Sequence, residues 1–598
     1  MCGIVGFVSY KKEESLIREL TDSIAHRGPD ESDFTIFQKD NYYVHFGSSR
    51  LSIVGEKAGK MPMNDVSGNL LVYNGELYDL QKTRLKIDKN LATTSDTVHL
   101  FEYLKQNSNN NLSDLNGMFA FSFYDSKDNS VLLSRDKLGI KPLYYMETEK
   151  YPLVFSSEVK PLISSGFSDK KISEKSLENF LLFGGNNYFN NLLSDIKSLE
   201  PGCYLKWSIN NSSLKRYYTI SKSIGGNVDL EDLLSTVIDD QLKADVSVDL
   251  LLSGGIDSSV IAYIAKSVLG KDVKAFSLSF QNKRFDESLK SVKIAEDLNL
   301  EHEIIKFNEE QNYEVIDELM YKLPEPIGDP SIIPTYYLNK IVSQHTKAVL
   351  TGDGADELFG GYDWYRAQKI SPYINSSLES LFVTFAKIID TLVSDKNIPT
   401  SNKVELFFSG QKYGKGEEVL HWQNTFTSFI DSHSLFTQYL SKLDLASAKN
   451  RYDVTQLIDL QTYLYTNILK KSDTASMLNG LEARPVFLDD RILDYSLSKN
   501  QKENTTLLKS KKELRKVAAS FTNIHNQRKQ GFSHDFSLWI KNIGIPFLNS
   551  IEDDQEIVTN FLNSIDSKEN FNSIDERNIW RLFSFYKWID INGVKLVN

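Results

Sequence analysis

The stretch Val248-Asp249-Leu250-Leu251-Leu252-Ser253-Gly254-Gly255-Ile256-Asp257-Ser258-Ser259 constrains the chain more than any other. An apolar strand runs into a glycine pair, and beyond it Val260, Ile261, Ile264 and Val268 recur at helical spacing. Strand, tight turn and helix in that order place the first N–H groups of the helix over the strand end. Those donors, the helix dipole and the hydroxyls of Ser253, Ser258 and Ser259 make an anion site suited to phosphates. It is not a Walker loop, because the Gly-Lys-Ser/Thr ending is missing. An ordinary turn with a capping serine explains Gly-Gly alone, but it is a poor account of Ser-Gly-Gly-Ile-Asp-Ser-Ser as a unit.

Two further strands belong with this one. Lys274-Ala275-Phe276-Ser277-Leu278-Ser279-Phe280 fits beside it. Ala348-Val349-Leu350-Thr351 opens into Gly352-Asp353-Gly354-Ala355-Asp356-Glu357, a loop with three carboxylates. Surface acidity is the usual cause of such a run. Glycines interleaved with acids just after a strand favour a Mg²⁺ site, since Mg²⁺ takes one or two carboxylates plus phosphate oxygens. Asp257 and Asp356 form the pair if the two strands are neighbours in a parallel sheet.

The other end of the chain holds a nucleophile. Cys2 sits behind the initiator methionine at the head of the apolar run Gly3-Ile4-Val5-Gly6-Phe7-Val8. With Met1 removed, it carries a thiol and a free α-amine of pKa near 8, a nucleophile with its own base. Between Phe34 and Val54, and again from Leu70 to Tyr73, strand-rich runs alternate with turn formers. The polar segments Ala25-His26-Arg27-Gly28-Pro29-Asp30, Ser49-Arg50, Asn74-Gly75-Glu76 and Thr94-Ser95-Asp96-Thr97 fall between or beside them. Asn-Gly reads as a turn behind a strand, and a helix follows from about Val98 to Leu104. A thiol acting on a carboxamide needs oxyanion donors, a cation for the substrate carboxylate and an acceptor for its ammonium group. These segments supply all three.

At 598 residues the chain exceeds what one hydrophobic core serves, so two or more domains are expected. A net charge of -12 argues against nucleic acid as a partner. No run approaches the roughly 20 apolar residues of a membrane span. The two cysteines, Cys2 and Cys203, make no disulfide framework and point to a reducing cytoplasm. The polar residues around Ser221-Lys222-Ser223-Ile224-Gly225-Gly226-Asn227 read as a linker, dividing the chain into 1–215, a connection 216–229, and 230–598.

Cys2-Gly3-Ile4, His26-Arg27-Gly28-Pro29-Asp30, Arg50-Leu51-Ser52-Ile53, Asn74-Gly75-Glu76, Ser95-Asp96, Leu115-Asn116-Gly117-Met118-Phe119 and Arg135-Asp136-Lys137-Leu138-Gly139 together resemble the class II glutamine amidotransferase domain. That resemblance implies an N-terminal-nucleophile (Ntn) hydrolase with an α/β/β/α sandwich. Cys2 would attack glutamine, and Asn74 and Gly75 would form the oxyanion hole. Arg50, Leu51, Ser52, Ile53, Val54, Glu76 and Asp96 would hold the amino-acid end. The phosphate loop resembles that of ATP pyrophosphatases, which implies a doubly wound parallel sheet with added helices. It also implies ATP contacts from Leu252, Ser253, Gly254, Gly255, Asp257, Ser258, Ser259, Leu278, Thr351 and Gly352, with Mg²⁺ on Asp257 and Asp356.

With Lys470-Lys471-Ser472-Asp473 and Leu481-Glu482-Ala483-Arg484-Pro485, and a tail marked by Lys512-Glu513-Leu514-Arg515 and Arg528-Lys529-Gln530-Gly531-Phe532, the whole resembles glutamine-hydrolysing asparagine synthetases. The resemblance implies that Lys471 contacts the reacting phosphate and that Asp353 serves acyl-adenylate formation. The reaction it implies consumes ATP, aspartate, glutamine and water, and yields AMP, pyrophosphate, asparagine and glutamate. Asp249 and Pro485-Val486 are atypical, as are Gln530 and His534 in the tail. The first two leave room for another carboxylate, such as a uronic-acid sugar of a surface polysaccharide. The sequence leaves the oligomeric state open, a homodimer included.

Overall fold

The computed structural model describes residues 2–597 apart from 56–57, 88–94, 108, 190, 224–227, 284, 309–310, 393–399, 425, 427–429, 431, 501–503, 507–508, 522–535, 552–555 and 566–572. Thr94, most of the expected connection's glycine-rich centre, the tail motif Arg528 to Phe532 and His534 lie outside the described residues.

The N-terminal strands are β1 (Cys2–Ser9), β2 (Glu31–Lys39), β3 (Tyr42–Arg50), β4 (Met63–Asn64), β5 (Leu70–Leu77), β6 (Gly117–Asp125), β7 (Ser130–Arg135), β8 (Tyr144–Met146), β9 (Leu153–Ser156), β10 (Lys171–Ser173), β11 (Lys197–Ser198), β12 (Cys203–Ser208) and β13 (Asn211–Arg216). All but β10 fall into two six-stranded antiparallel sheets, β11-β8-β9-β1-β3-β2 and β13-β12-β7-β6-β5-β4. Alternation along each strand assigns the faces. Ile4 and Val8 of β1 share a core with Leu70 and Val72 of β5, so these faces meet. Their sequence neighbours face outwards. Val5 and Phe7 pack with Ile17 and Leu20 of the helix Glu14–Ser23. Leu71 and Tyr73 pack with Leu100, Phe101 and Leu104 of the helix Asp96–Asn107. The layers are therefore helix, sheet, sheet, helix, the sandwich that the resemblance implies.

One local expectation fails here. Asn74 and Gly75 are not a turn: they lie inside β5, opposite Ala120 and Phe119 of β6. A Cβ on Gly75 would stand 2.1 Å from the Met118 carbonyl oxygen. The glycine serves close strand approach rather than chain reversal.

The C-terminal part holds a five-stranded parallel sheet of β14 (Val248–Leu251), β15 (Lys274–Phe280), β16 (Glu301–Phe307), β17 (Ala348–Thr351) and β18 (Glu482–Pro485). Its order is β16-β15-β14-β17-β18. The chain builds outwards from β14 on one side and then returns to build on the other, so the order reverses between β14 and β17. Loops leaving those two strands diverge, and a crevice opens at their C-terminal ends. Beyond β14 the helix Ile256–Tyr263 gives way to a π turn, Ile264–Val268. Val260, Ile261 and Ile264 are buried, but the wider turn swings Val268 out to 43% exposure, against its expected place on the apolar face.

The two parts are tied together. The strand β19 (Lys595–Val597) pairs in parallel with β10, and one apolar cluster joins Phe180 and Leu181 to Trp580 and Phe585 of the helix Ser573–Asn592. Ile220 shares an apolar cluster with Leu230 and Leu234 and anchors the connection, while Thr219, Ser221, Ser223 and Val228 around it stay exposed. Among the described residues no helix is long and apolar enough to cross a membrane.

Candidate functional site

Cys2 opens β1 and is buried, opposite Arg50 at the end of β3. Its backbone N–H donates to Asn74 Oδ1 at 3.2 Å. Asn74 is fully buried, and among the described residues its Nδ2 has no hydrogen-bond partner. A buried amide donor beside a thiol suits an oxyanion. Burial pushes the Cys2 thiol above its ordinary value, with Arg50 among the charges that oppose this. A thiolate at Cys2 would therefore need a base to form.

Arg50 donates to Glu31 Oε2 and to the Gly55 carbonyl, each at 3.1 Å. The stretch Leu51 to Val54 runs on without regular structure. In it Ser52 N–H donates to Asp30 Oδ2 at 2.7 Å, and the Ile53 carbonyl accepts from Asp245 N–H at 2.9 Å. Asp96 starts its helix, and its Oδ2 accepts from Tyr73 Oη at 2.8 Å and Leu77 N–H at 3.2 Å. Burial raises the carboxyls of both Glu76 and Asp96, and the charge of Asp96 adds to the rise at Glu76. Two buried carboxylates this close are stabilised by a shared cation, and an α-ammonium group is one.

Residues outside the expected set complete this region. Arg27, 1% exposed, donates from Nε to the Cys2 carbonyl at 3.4 Å, and its other nitrogens reach Glu158 and Asp473 at 2.9 Å each. Asp473 lies on the helix Lys470–Met477, and Lys141 Nζ donates to its other oxygen at 3.3 Å. Arg484 of β18 reaches across to Glu76 Oε2 at 3.4 Å while donating to Glu482 Oε1 and the Gln241 carbonyl at 2.5 Å. Arg27 and Arg484 carry no local signal for this role, because Asp473 and Glu76, the partners that tie them across the two parts, are hundreds of residues away in the chain.

The crevice between β14 and β17 forms a cavity of about 430 Å³. Leu252, Ser253, Gly254, Gly255, Asp257 and Ser258 line it from the first loop, and Thr351, Gly352, Asp353 and Asp356 from the second. Leu278 of β15 and Lys471 complete that wall. Gly254 has φ +78°, and a Cβ there would stand 2.8 Å from that of Lys290, so the tight turn demands glycine. Ser253 and Ser258 hydroxyls lie 3.1 Å apart in the loop. Ser259 does not line the cavity: it is wholly buried and donates to the Gly255 carbonyl at 2.5 Å. Asp353 Oδ2 accepts from Thr351 Oγ1 at 3.0 Å and from Ser472 Oγ at 2.8 Å. Lys471 Nζ donates to Asp329 Oδ2 and Ser331 Oγ, both at 2.8 Å.

The donors expected for Mg²⁺ converge. Lys511 Nζ stands 2.6 Å from Asp257 Oδ2 and 2.7 Å from Asp356 Oδ1, so both carboxylates already address one cation position. Two carboxylates turned to one position fit the one or two that Mg²⁺ takes. Lys511 adopts φ +52°, uncommon for a lysine, and its side chain is only 3% exposed. Asp249 and Val486, which left room for another acceptor, do not face the cavity. Asp249 accepts from Lys274 N–H at 3.0 Å, and Val486 is fully buried in the core.

A family model described as asparagine synthase matches residues 229–589, and one described as a glutamine amidotransferase domain matches residues 1–218. Glutamine-hydrolyzing asparagine synthetase 1 of Bacillus subtilis is 28% identical, covering 99% of this chain and 97% of its own. Glutamine-hydrolyzing asparagine synthetase 3 of the same organism is 27% identical over 83% of this chain and 80% of its own. A protein of Gibberella zeae named amidase chry2 is 25% identical over 90% of each. These similarities run through both the stretch that buries Cys2 and the crevice above β14 and β17, and the first family model alone spans more than half of the residues: the chain belongs to the asparagine synthase family.

Proposed function

We propose that the protein is a glutamine-dependent asparagine synthetase, with 1–215 as the glutaminase domain and 230–598 as the synthetase domain. With Met1 removed, the Cys2 amine takes the thiol proton and Sγ attacks the amide carbon of glutamine. Asn74 Nδ2 and the Gly75 backbone N–H receive the oxyanion, Arg50 binds the α-carboxylate, and Glu76 with Asp96 binds the α-ammonium group. Ammonia leaves, and water cleaves the γ-glutamyl thioester to glutamate.

In the second site, a carboxylate oxygen of aspartate attacks the α-phosphorus of ATP while the bond to the pyrophosphate oxygen breaks. Loop N–H groups and Lys471 carry the developing negative charge. Ammonia then attacks the acyl carbon of the β-aspartyl adenylate, a proton is lost, and AMP departs with its electron pair. Mg²⁺, bound when ATP is bound, supplies charge neutralisation beside Asp257 and Asp356. Ammonia is mostly protonated and non-nucleophilic in bulk water at neutral pH, so its transfer requires a path closed to solvent.

The observation that carries this reading is the Arg27 bridge. One buried guanidinium contacts the carbonyl of the nucleophile and, through Asp473, the helix that bears Lys471 and Ser472. Cys2→Ala tests it: glutamine-dependent asparagine formation is lost, while ammonium chloride with ATP and aspartate still yields asparagine and AMP. Loss of both activities in a folded variant contradicts two separate sites. Glutamine hydrolysis without any asparagine from the unaltered protein points instead to another carboxylate, such as a uronic acid.

A further inference from the structure

Past Asp353 and Lys471 the cavity has a wall that the chemistry above leaves unused. It is made by Asp329, Ser331, Tyr463 and Arg577. Asp329 and Ser331 precede the helix Ile332–Val342, and Arg577 projects from the helix Ser573–Asn592 near the C-terminal end. Nothing in the phosphate loop or in the metal pair calls for these residues.

Their charges are unbalanced in an informative way. Asp329 accepts from Ser331 N–H at 3.0 Å and from Lys471 at 2.8 Å. Burial pushes its carboxyl upwards, but Lys471 and then Arg577 outweigh that and hold it well below the usual carboxylate range. It therefore stays an anion. Arg577 differs from the other arginines of the interior. Arg27, Arg135, Arg484 and Arg581 each donate to protein oxygens. Arg577, among the described residues, has neither a hydrogen-bond nor an ion-pair partner, although it lines the cavity. A guanidinium in a cleft whose nitrogens bond no protein oxygen among the described residues, with Asp329 only a longer-range charge, is a fork for a carboxylate.

The geometry points to Arg577 and Asp329 as the acceptor-recognition pair, Arg577 taking a second carboxylate and Asp329 an ammonium group of a substrate whose first carboxylate is adenylated at Lys471 and Asp353. This rests on the reading of the cavity as the adenylation site, and it names the acceptor class as an α-amino dicarboxylic acid. A uronic-acid sugar has a single carboxylate and would leave Arg577 without a partner. Asp329 has lone pairs beyond those used by Lys471 and Ser331, so it can accept from an ammonium group without releasing either.

Three acceptors separate the contacts: aspartate, β-alanine, which lacks the second carboxylate, and succinate, which lacks the ammonium group. Ammonium chloride serves as nitrogen donor, so that Cys2 plays no part, and pyrophosphate release is followed. The unaltered protein is expected to prefer aspartate to both analogues. Arg577→Gln raises KM for aspartate about 100-fold, the scale of a lost charge-assisted contact, and raises that for β-alanine far less. The preference between the two therefore collapses, and Arg577→Lys recovers part of it. Asp329→Asn loosens Lys471 as well, so its readout is the ratio of aspartate to succinate, which falls. Equal losses with aspartate and β-alanine in Arg577→Gln, or no loss with either, overturn the assignment while leaving the synthetase reading intact. An unaltered protein that releases no pyrophosphate with aspartate overturns both.

Discussion

Glu158 shows how much a single buried side chain controls near the nucleophile. It accepts from His26 at 3.0 Å and from Arg27 at 2.9 Å. Burial alone would raise its carboxyl, but His26 and Arg27 bring it down from 4.5 to about 2. A carboxylate lowered in this way adds stability that is present above pH ~4.5, its unfolded value, and is lost as pH falls towards 2. The shift corresponds to about 3 kcal/mol. Acid unfolding followed by circular dichroism should therefore steepen between pH ~4.5 and 2 in the unaltered protein. In Glu158→Gln that component should vanish, and Arg27 loses the partner that orients it towards Cys2. Lys511 makes the corresponding case in the crevice. Lys511→Met leaves Asp257 and Asp356 without their shared cation, at a cost of about 3–5 kcal/mol. Mg²⁺ should restore part of that in a thermal melt and raise the Tm of the variant more than that of the unaltered protein. Equal Mg²⁺ shifts in the two would contradict convergence of the carboxylates on one cation position.

At the scale of elements, the helix Lys470–Met477 is the piece on which both sites depend. Its successive residues face different partners: Lys470 pairs with Glu325, Lys471 with Asp329, Ser472 with Asp353, and Asp473 with Arg27 and Lys141. Asp473→Asn takes a counter-charge from two buried cations, of which Arg27 still keeps Glu158, and should destabilise the fold by about 3 kcal/mol in urea unfolding. Asp473→Ala at similar stability to the unaltered protein would show that the bridge is not structural. Helical periodicity reads Lys470-Lys471 as a solvated face, because an isolated helix has no way to reveal that Glu325, Asp329 and Ser331 stand against it. The β14 loop was legible for the opposite reason: its glycines and serines answer to backbone geometry within twelve residues. Asn74-Gly75 lies between these cases. The pair looks like a turn locally, and only the approach of Met118 from β6 shows why the strand continues through it. Lys511 and Arg577 have no local signal, since each gains its meaning from carboxylates more than a hundred residues earlier in the chain.

For the whole molecule, the sandwich and the parallel sheet interlock through shared apolar clusters and through buried polar contacts. Arg27 with Asp473, Arg484 with Glu76, and Arg581 with the carbonyls of Leu181 and Leu182 all cross between the two parts. Such contacts hold two distant sites in fixed relation, as a chain that makes a reactive nitrogen in one place and uses it in another requires. Under the proposed function, nitrogen released at Cys2 reaches the adenylated carboxylate without mixing with solvent. The direct measurement supplies glutamine labelled with ¹⁵N in its amide, together with ATP, aspartate and an excess of unlabelled ammonium chloride, and reads the ¹⁵N content of the asparagine by mass spectrometry. Asparagine labelled well above the isotopic composition of the bulk ammonium is the predicted result; asparagine matching the bulk composition would contradict it.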